Sequence, residues 1–218
     1  MPENKPMRKV STIVLATTNR HKLEEIQSLM KGQASVELVP ADTILANADK
    51  LGLVEKFNSY AENVAAKARA CNHGCHYPSL ADDSGLEVPA LGNTPGVRSH
   101  RFATPKAGQS QDEANNAKLL EQMRAITGEQ RAARFVCHMA LVMEGLLLQS
   151  VGVCEGTIIT DYRGQGGFGY DPLFIPNGYS QTFAELGPDV KNKISHRAIA
   201  VQNLLEEIKK YGIVLAKP

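Results

Sequence analysis

Two long β-rich segments, residues 135–143 and 146–159, are separated only by the dipeptide Glu144-Gly145. A two-residue connection that contains glycine is typical of the turn in a β-hairpin. The two segments therefore predict a long antiparallel pair of strands, and any fold proposed for this chain has to contain that pair.

Shorter strand and helix signals precede this hairpin. Residues 11–16 form a short apolar, partly β-branched run that predicts a buried strand, and residues 36–39 predict a second strand. After residues 17–19, apolar side chains recur with the period of a helix. One face of that helix is expected to carry Leu23, Ile26, Leu29 and Met30.

Three further helices are indicated by capping signals and periodicity. A serine followed three residues later by glutamate, the spacing of a capping box, opens a helix over residues 60–71 and another that ends near Met123. The last helix is expected to begin near Ser195 and to end before Gly212. Its apolar stripe consists of Val201, Leu204, Leu205, Ile208 and Tyr211. Together with the hairpin, these elements predict a mixed α/β fold, with a cleft between two lobes as the natural ligand site.

Composition narrows the class of protein. The chain has 218 residues, of which 43% are hydrophobic. This is enough for residues 1–218 to form a single domain of two closely packed lobes. The net charge of +1 and the lack of a long basic run exclude a nucleic-acid polymer as the expected partner. Residues 1–9 are polar and are predicted to be a flexible N-terminus rather than a signal peptide. No run approaches the ~20 apolar residues of a membrane span, so we expect a cytoplasmic protein.

The four cysteines allow three interpretations. Residues 71–76 contain two cysteines and two histidines and look like part of a metal site, but structural zinc needs four ligands, usually in two separated pairs. Cys137 and Cys154 are isolated in apolar segments. A catalytic pair of Cys137 and His138 is disfavoured because neighbours on a strand point to opposite faces. Reduced thiols, two in the core and two near a helix end, are the favoured interpretation.

Residues 166–172 combine flexible glycine backbone with two aromatic rings, Phe168 and Tyr170, and one carboxylate, Asp171. A later segment supplies the basic residues Lys191, His196 and Arg197. Glycine lets a backbone approach a planar ligand, aromatic rings stack on it, and cationic side chains recognise keto oxygens and phosphates. Core packing is the alternative for the two rings, but glycines on both sides favour a wall that recognises a nucleobase.

Adjacent carboxylates, Asp82 and Asp83, stand before a Ser-Gly pair between apolar runs, which places them at a strand end or turn. Mg²⁺ prefers carboxylate oxygens and takes further ligands from phosphate, and a neighbouring carboxylate can accept a proton from water. Since adjacent strand side chains diverge, we expect one Asp at the metal and the other in a structural hydrogen bond. An Asx turn is the alternative. Glu55 is favoured over Glu62 as a second ligand, because Glu62 has a capping role.

Residues 17–22 lie where a strand ends and a helix begins, a junction whose unpaired amides attract anions. Lys22 adds positive charge there, although Asn19 could simply cap the helix. Lys67, on the helix opened by Ser59, could reach a polyphosphate or could be a solvated lysine. These signals alone match neither a P-loop nor a dinucleotide fingerprint.

In this order, the motifs resemble the inosine triphosphate pyrophosphatases, also called XTP/dITP diphosphatases. The matching segments are residues 16–22 (A-T-G-N-x-x-K), 81–86 (A-D-D-S-G-L), 95–101 (P-G-x-x-S-x-R), 167–172, 184–186 and 195–197, together with Glu55, Glu62, Asn63, Lys67 and Lys191. Thr18 and His21 stand at positions that are often glycine in that family, and Val64 stands where alanine is common.

The resemblance implies an elongated, two-lobed α/β protein with a mixed sheet, flanking helices and a central nucleotide-binding cleft, commonly a homodimer. It implies Mg²⁺-dependent hydrolysis of ITP, dITP and XTP to the monophosphate and pyrophosphate. By position, Asp83 is the general base and metal site, and Glu55 is the second acidic ligand. Phosphate contacts are expected at Thr17, Thr18, Asn19, Arg20, His21, Lys22, Lys67 and Ser84. Base contacts are expected at Phe168, Gly169, Tyr170, Asp171, Lys191, His196 and Arg197.

Two other functions are compatible with parts of this pattern. A pyrophosphatase for other modified nucleotides would share the acidic and basic residues but differ in residues 168–171 and 195–197. A non-catalytic nucleotide-binding module would keep the base wall but could lose Asp83 or Lys22. Because this chain has all of these residues, an enzyme acting on deaminated purine triphosphates is the favoured interpretation.

Overall fold

The computed structural model of the protein describes residues 8–32 and 35–216. Its strands are β1 (Arg8–Val10), β2 (Thr12–Leu15), β3 (Glu37–Pro40), β4 (Ser79–Val88), β5 (Thr94–Pro95), β6 (Ala132–Met143), β7 (Leu146–Ile158), β8 (Phe174–Pro176) and β9 (Ile213–Leu215). Its helices are α1 (Arg20–Met30), α2 (Tyr60–Cys75), α3 (Gln111–Gln122), α4 (Phe183–Ile194) and α5 (His196–Lys210). Of the segment predicted to be flexible, residues 1–7 lie outside the described residues, whereas Arg8 and Lys9 belong to β1.

Seven strands form a mixed sheet in which the order is β3-β2-β4-β6-β7-β8, and β5 pairs with β4. β2 runs parallel to both β3 and β4, whereas the β4–β5 and β7–β8 pairs are antiparallel. A separate two-stranded sheet joins β1 and β9 in parallel. The mixed α/β class predicted from the sequence is therefore confirmed.

The long hairpin is confirmed at the predicted turn. β6 and β7 are neighbours in the sheet and are joined by Glu144 and Gly145, whose φ angles are 46° and 78°. Positive φ at both central residues matches the right-handed twist of the flanking strands, and glycine adopts it without a steric penalty.

Contacts divide the described chain into two compact units, and the first comprises the chain up to Asp83, His138–Gly152 and the chain from Ile199 onward. In its core, α2 contributes Val64, Ala68 and Cys71, all fully buried, at intervals of four and three residues. That spacing puts small side chains on one helical face, so the helix can pack closely. Their core partners include Val14, Ala16, Ala81, Ala140 and Val142.

The second unit comprises Ser84–Cys137 and Val153–Ala198, and its core is rich in aromatic rings. The ring of Phe174 lies 4.7 Å from that of Phe135 and 5.5 Å from that of Phe183, measured between centroids. Gly156 on β7 makes room for this cluster, because a Cβ there would lie 2.5 Å from the Phe174 ring and 2.3 Å from the Ile175 carbonyl oxygen.

Two predictions about helices were wrong in detail, and one helix was not predicted. α2 extends to Cys75 rather than to residue 71, and it ends at His76, which adopts the left-handed conformation. Tyr211 is 51% exposed and does not belong to the buried stripe of α5, because the helix has already ended at Lys210. α4 was not predicted, since Gly187 interrupts it with non-helical geometry and is followed by Pro188. No helix in the described ranges has both the length and the apolar character needed to cross a membrane.

Candidate active site

The junction between β2 and α1 is built by side chains that bond to nearby backbone. Thr17 Oγ1 accepts a hydrogen bond from Asn19 N at 3.2 Å, and Asn19 Oδ1 accepts one from Lys22 N at 3.2 Å. Asn19 is therefore the N-cap of α1, as one of the two sequence interpretations proposed. The cap fixes the start of the helix and leaves Thr18, Arg20 and His21 exposed beside it.

The two residues that stand at positions often occupied by glycine do not strain this junction. Non-glycine residues with positive φ in the described chain are His76, Asn93 and Glu144, and neither Thr18 nor His21 is among them. Both therefore adopt backbone conformations that any L-residue tolerates. Val64, the third departure, is a fully buried core residue.

Asp82 and Asp83 lie in the interior of β4, so their placement at a strand end or Asx turn was wrong. Their side chains diverge, as expected for neighbours on a strand. Asp82 Oδ2 lies 3.2 Å from Lys22 Nζ, while Asp83 Oδ2 accepts a hydrogen bond from Asn63 Nδ2 at 3.2 Å. Buried carboxylates need such partners, and these contacts let both residues remain in a core strand.

Lys67 is 6% exposed, so its interpretation as a solvated helix lysine was wrong. Its Nζ donates to Glu55 Oε1 at 2.5 Å and to the Asp82 carbonyl oxygen at 2.6 Å. Burial acts to lower the pKa of Lys67, but the negative charges of Asp82, Glu55 and Asp83 outweigh it and raise that pKa. The side chain is therefore a permanent cation within an acidic cluster.

No role was predicted for Asn63 from the sequence, although its side chain orients Asp83. Its side chain is 1% exposed; Oδ1 accepts from Phe57 N at 2.9 Å, and Nδ2 donates to Phe57 O at 3.1 Å. The same Nδ2 also donates to Asp83. The available signal was an asparagine, a poor helix former, beside buried positions of α2. Glu62, in contrast, is exposed, and its backbone N–H donates to the N-cap hydroxyl of Ser59 at 3.4 Å.

The Asp83 carboxyl has a pKa raised from 3.8 to about 6. Burial is the main cause, and the charges of Lys22 and Lys67 oppose it, while those of Glu55 and Asp82 add to it. A carboxylate with a pKa this close to neutrality is a stronger proton acceptor than an ordinary aspartate. Asp83 is therefore the member of this cluster best suited to general-base chemistry.

The raised pKa gives a prediction for the metal-free protein. The folded state holds the Asp83 proton more tightly than the unfolded state, so the free energy of unfolding should fall as the pH rises from about 4 to about 6. The two pKa values correspond to a decrease of up to about 3 kcal/mol. Chemical denaturation of wild type and Asp83→Asn across this range measures it, and the decrease should be missing from the variant. Parallel curves would contradict the assignment.

Asp171, Lys191 and Phe168 form a second buried group. Asp171 Oδ2 lies 2.5 Å from Lys191 Nζ and accepts a hydrogen bond from Phe168 N at 2.9 Å. Lys191 Nζ also lies 4.5 Å from the centroid of the Phe168 ring, a cation–π geometry. The three predicted base-recognition residues thus hold one another, and the Phe168 ring remains partly exposed.

His196 and Arg197 begin α5 and are both buried. The imidazole of His196 stacks on Phe135, with centroids 4.8 Å apart and planes inclined by 12°. Arg197 donates from Nη2 to Ser84 Oγ at 3.0 Å, and its guanidinium carbon lies 5.9 Å from the centroid of the Phe168 ring. Ser84, which accepts this hydrogen bond from Arg197, directly follows the candidate base Asp83 on β4.

Tyr170 differs from Phe168 in its surroundings. Its ring is 4% exposed and belongs to the aromatic core of the second unit, and its hydroxyl donates to the Ser99 carbonyl oxygen at 2.8 Å. Burial, reinforced by the charge of Asp112, raises the pKa of that hydroxyl, which stays protonated. Of the two rings predicted to stack on a base, only Phe168 offers an accessible face.

The oxygen ligands predicted for a metal ion are Asp83 and Glu55. In the described part of the chain, no group of three or more His, Cys, Asp or Glu side chains could hold an ion. Two carboxylates can suffice for Mg²⁺, which commonly takes its remaining ligands from water and phosphate. Glu55 also pairs with Lys67, so its carboxylate would serve both cations. The four cysteines are free thiols, of which Cys71, Cys137 and Cys154 are buried.

Comparison with known proteins gives the same family that the sequence motifs resemble. The sequence profile of the Ham1 family matches residues 13–207. The chain belongs to the Ham1 family. A relative from Cutibacterium acnes named dITP/XTP pyrophosphatase is 41% identical over 203 residues, which cover 91% of this chain and 97% of the relative. A Geobacillus kaustophilus protein of the same name is 41% identical over 197 residues, covering 89% and 93%.

Solved structures of the Ham1 family confirm the fold. A HAM1 protein from Coxiella burnetii superposes with a TM-score of 0.77 at 35% identity, covering 92% of this chain and all of the other. The nucleoside-triphosphatase, dITP/XTP pyrophosphatase, of Mycobacterium abscessus gives a TM-score of 0.69 at 38% identity, covering 89% and 98%. The family membership predicted from the motifs is thereby confirmed.

Proposed function

We propose that this Ham1-family protein hydrolyses the deaminated purine triphosphates ITP, dITP and XTP to the monophosphate and pyrophosphate. The observation that carries this proposal is the buried Lys67 and the half-buried Lys22, whose charges both act on an Asp83 carboxyl of raised pKa, in a chain whose relatives are named dITP/XTP pyrophosphatases. Cations of this kind suit a polyphosphate, and the carboxyl suits a base that activates water.

Asp83 is the general base in this mechanism. An attacking water gives its proton to the Asp83 carboxylate while its oxygen bonds to the α-phosphorus. The bond from that phosphorus to the bridging oxygen breaks, and pyrophosphate leaves with the electron pair. The hydrogen bond from Asn63 fixes the direction of the carboxylate. Mg²⁺, held by Asp83 and Glu55, would supply positive charge to the phosphates and lower the pKa of water.

The phosphates are bound by the residues around the start of α1 and by the cations of the acidic cluster. Backbone N–H groups at a helix N-terminus attract anions, and the hydroxyls of Thr17, Thr18 and Ser84 add donors. The remaining phosphate contacts are Asn19, Arg20, His21, Lys22 and Lys67. Lys22 and Lys67 already face Asp82 and Glu55, so their charges are held in place before a substrate arrives.

The base is recognised by the group around Phe168. Its ring stacks on the purine, and the donors of Lys191, His196 and Arg197 favour the 6-keto oxygen of inosine and xanthine. A 6-amino group would leave a buried donor unpaired, at a cost of about 1–3 kcal/mol. Asp171 holds Lys191 in position, and Gly169 lets the backbone approach the base.

The biological role follows from this selectivity. Removing deaminated purines keeps them out of the precursors of DNA and RNA. We further propose that the enzyme works in the cytoplasm as a homodimer, as the family resemblance implies. Sedimentation of the purified protein measures the second point, and a monomer at micromolar concentration would reject it.

Pyrophosphate release tests the function directly. Release from ITP, dITP and XTP is expected to exceed release from ATP by at least about tenfold, since one unpaired donor already corresponds to that factor. Release from GTP, whose base carries the 6-keto oxygen, measures separately how far the site discriminates against a 2-amino group, and dTTP tests the requirement for a purine. Chelation of divalent ions should stop the reaction, and Mg²⁺ should restore it. Equal release from ATP would reject base selection by the Phe168 group. Nucleotide binding without any release would favour the non-catalytic module.

A further inference from the structure

The N-terminal half of α3 bonds to the loop that carries Phe168. Asp112 Oδ2 accepts a hydrogen bond from Gly169 N at 2.7 Å, and Asn116 Nδ2 donates one to Gly169 O at 2.8 Å. Asp112 and Asn116 are four residues apart and therefore lie on one face of the helix. Both peptide groups that flank the Gly169 Cα are thus held by side chains of α3.

These hydrogen bonds hold a backbone segment that glycine alone would leave free. Gly169 has a φ of 61°, a left-handed conformation from which glycine can rotate to many others. An added Cβ at this position would meet no atom within 4 Å, so the conformation does not depend on a tight steric fit there. Rotation about either backbone bond of Gly169 would break the bond to Asp112 or the bond to Asn116.

The two side chains are committed to this contact. Within residues 8–32 and 35–216, neither Asp112 nor Asn116 has another hydrogen-bond or ion-pair partner. Asn116 is 3% exposed, and only its Nδ2 can donate to a carbonyl oxygen, so its orientation is fixed by Gly169. Substitutions at these two positions therefore test one contact rather than a network.

Gly169 is bonded directly to Phe168, whose N–H donates to Asp171 and whose ring lies under Lys191. The bonds to Asp171 and to α3 hold the backbone on both sides of the Phe168 side chain. We propose that Asp112 and Asn116 are positioning residues that hold the Phe168 ring in its base-stacking orientation without touching the substrate. This inference rests on the proposed function, because it assigns the ring to a purine.

The test compares Asp112→Ala with Asp112→Asn. Both variants remove the same charge from the first turn of α3, but only asparagine keeps an oxygen that can accept from Gly169 N. Asp112→Ala should raise KM for dITP and Ki for deoxyinosine monophosphate about tenfold, the factor for one lost hydrogen bond. Its kcat and its Ki for inorganic pyrophosphate should change less than about twofold, since the phosphate site is untouched. Asp112→Asn should restore both constants to within about threefold of wild type.

Two further variants separate positioning from helix stability. Asn116→Ala should reproduce the effect of Asp112→Ala. Glu113→Ala breaks the capping box, in which Glu113 accepts from Ser110 N at 2.8 Å, and destabilises the same turn without contacting Gly169. It should lower Tm and leave KM for dITP unchanged. Equal base affinities for Asp112→Ala and Asp112→Asn, or a raised KM in Glu113→Ala, would overturn the proposal.

Failure of the proposed function would look different. In that case the wild-type protein would not release pyrophosphate from dITP. Calorimetric binding of deoxyinosine monophosphate to wild type and the Asp112 variants would then still measure the contact. Weaker binding in Asp112→Ala alone would support the positioning role, and identical binding in all three proteins would reject it.

Discussion

Replacing Asp83 by asparagine is expected to lower the rate of pyrophosphate release by about a thousandfold, while the protein still binds nucleotide. The amide cannot accept the proton of the attacking water, but its oxygen can still accept the hydrogen bond from Asn63, so the side chain keeps its direction. Single-turnover release from dITP and calorimetric binding of dITP measure the two properties separately.

The matched control is Asp82→Asn, the same change one position earlier on β4. Asp82 is 1% exposed and pairs with Lys22, so this variant should lose stability through the broken ion pair. Turnover per folded molecule should nevertheless fall much less than in Asp83→Asn. If Asp83→Asn retained turnover, or if both variants lost it equally, Asp83 would not be the base.

Local interactions explain why much of the fold could be predicted. The Glu144-Gly145 turn and the capping box of Ser110 and Glu113 depend on residues within a few positions of each other, and both occur where the sequence indicated. α4 was not predicted because its local signals conflict: Thr182 caps the helix, but Gly187 interrupts it after one turn. The packing of the second unit resolves that conflict, and packing is not visible in a window of sequence.

The residues proposed for the candidate site could be named from the sequence, but the contacts between their side chains could not be predicted. The motifs predict functional roles for Asp83 and Lys67, yet nothing local indicated that Lys67 would be buried against Glu55, twelve positions away in the chain. The bond between Asn63 and Asp83 spans 20 positions. Such pairings set which charges are buried, so they determine the pKa of Asp83 and the part that Lys67 plays in it.

Lys67→Met should show both consequences of that pairing. Methionine keeps most of the side-chain volume but removes the charge that faces Glu55 and Asp82, and breaking a buried ion pair costs about 3–5 kcal/mol of stability. The charge of Lys67 also holds down the pKa of Asp83, which should rise above its wild-type value of about 6. Urea denaturation measures the first effect, and the pH dependence of the free energy of unfolding of the metal-free protein measures the second.

Arg69→Met is the matched control, because it removes an exposed cation from the same helix. It should change stability by less than about 0.5 kcal/mol and leave the pH profile in place. Adding Glu55→Gln to Lys67→Met should recover part of the stability, since the carboxylate that bonded directly to the lysine is then removed as well. Turnover should stay low in the double variant, because the polyphosphate still lacks the lysine. A Lys67→Met protein as stable as Arg69→Met would show that the buried pair does not stabilise the fold, and an unchanged pH profile would show that Lys67 does not tune Asp83.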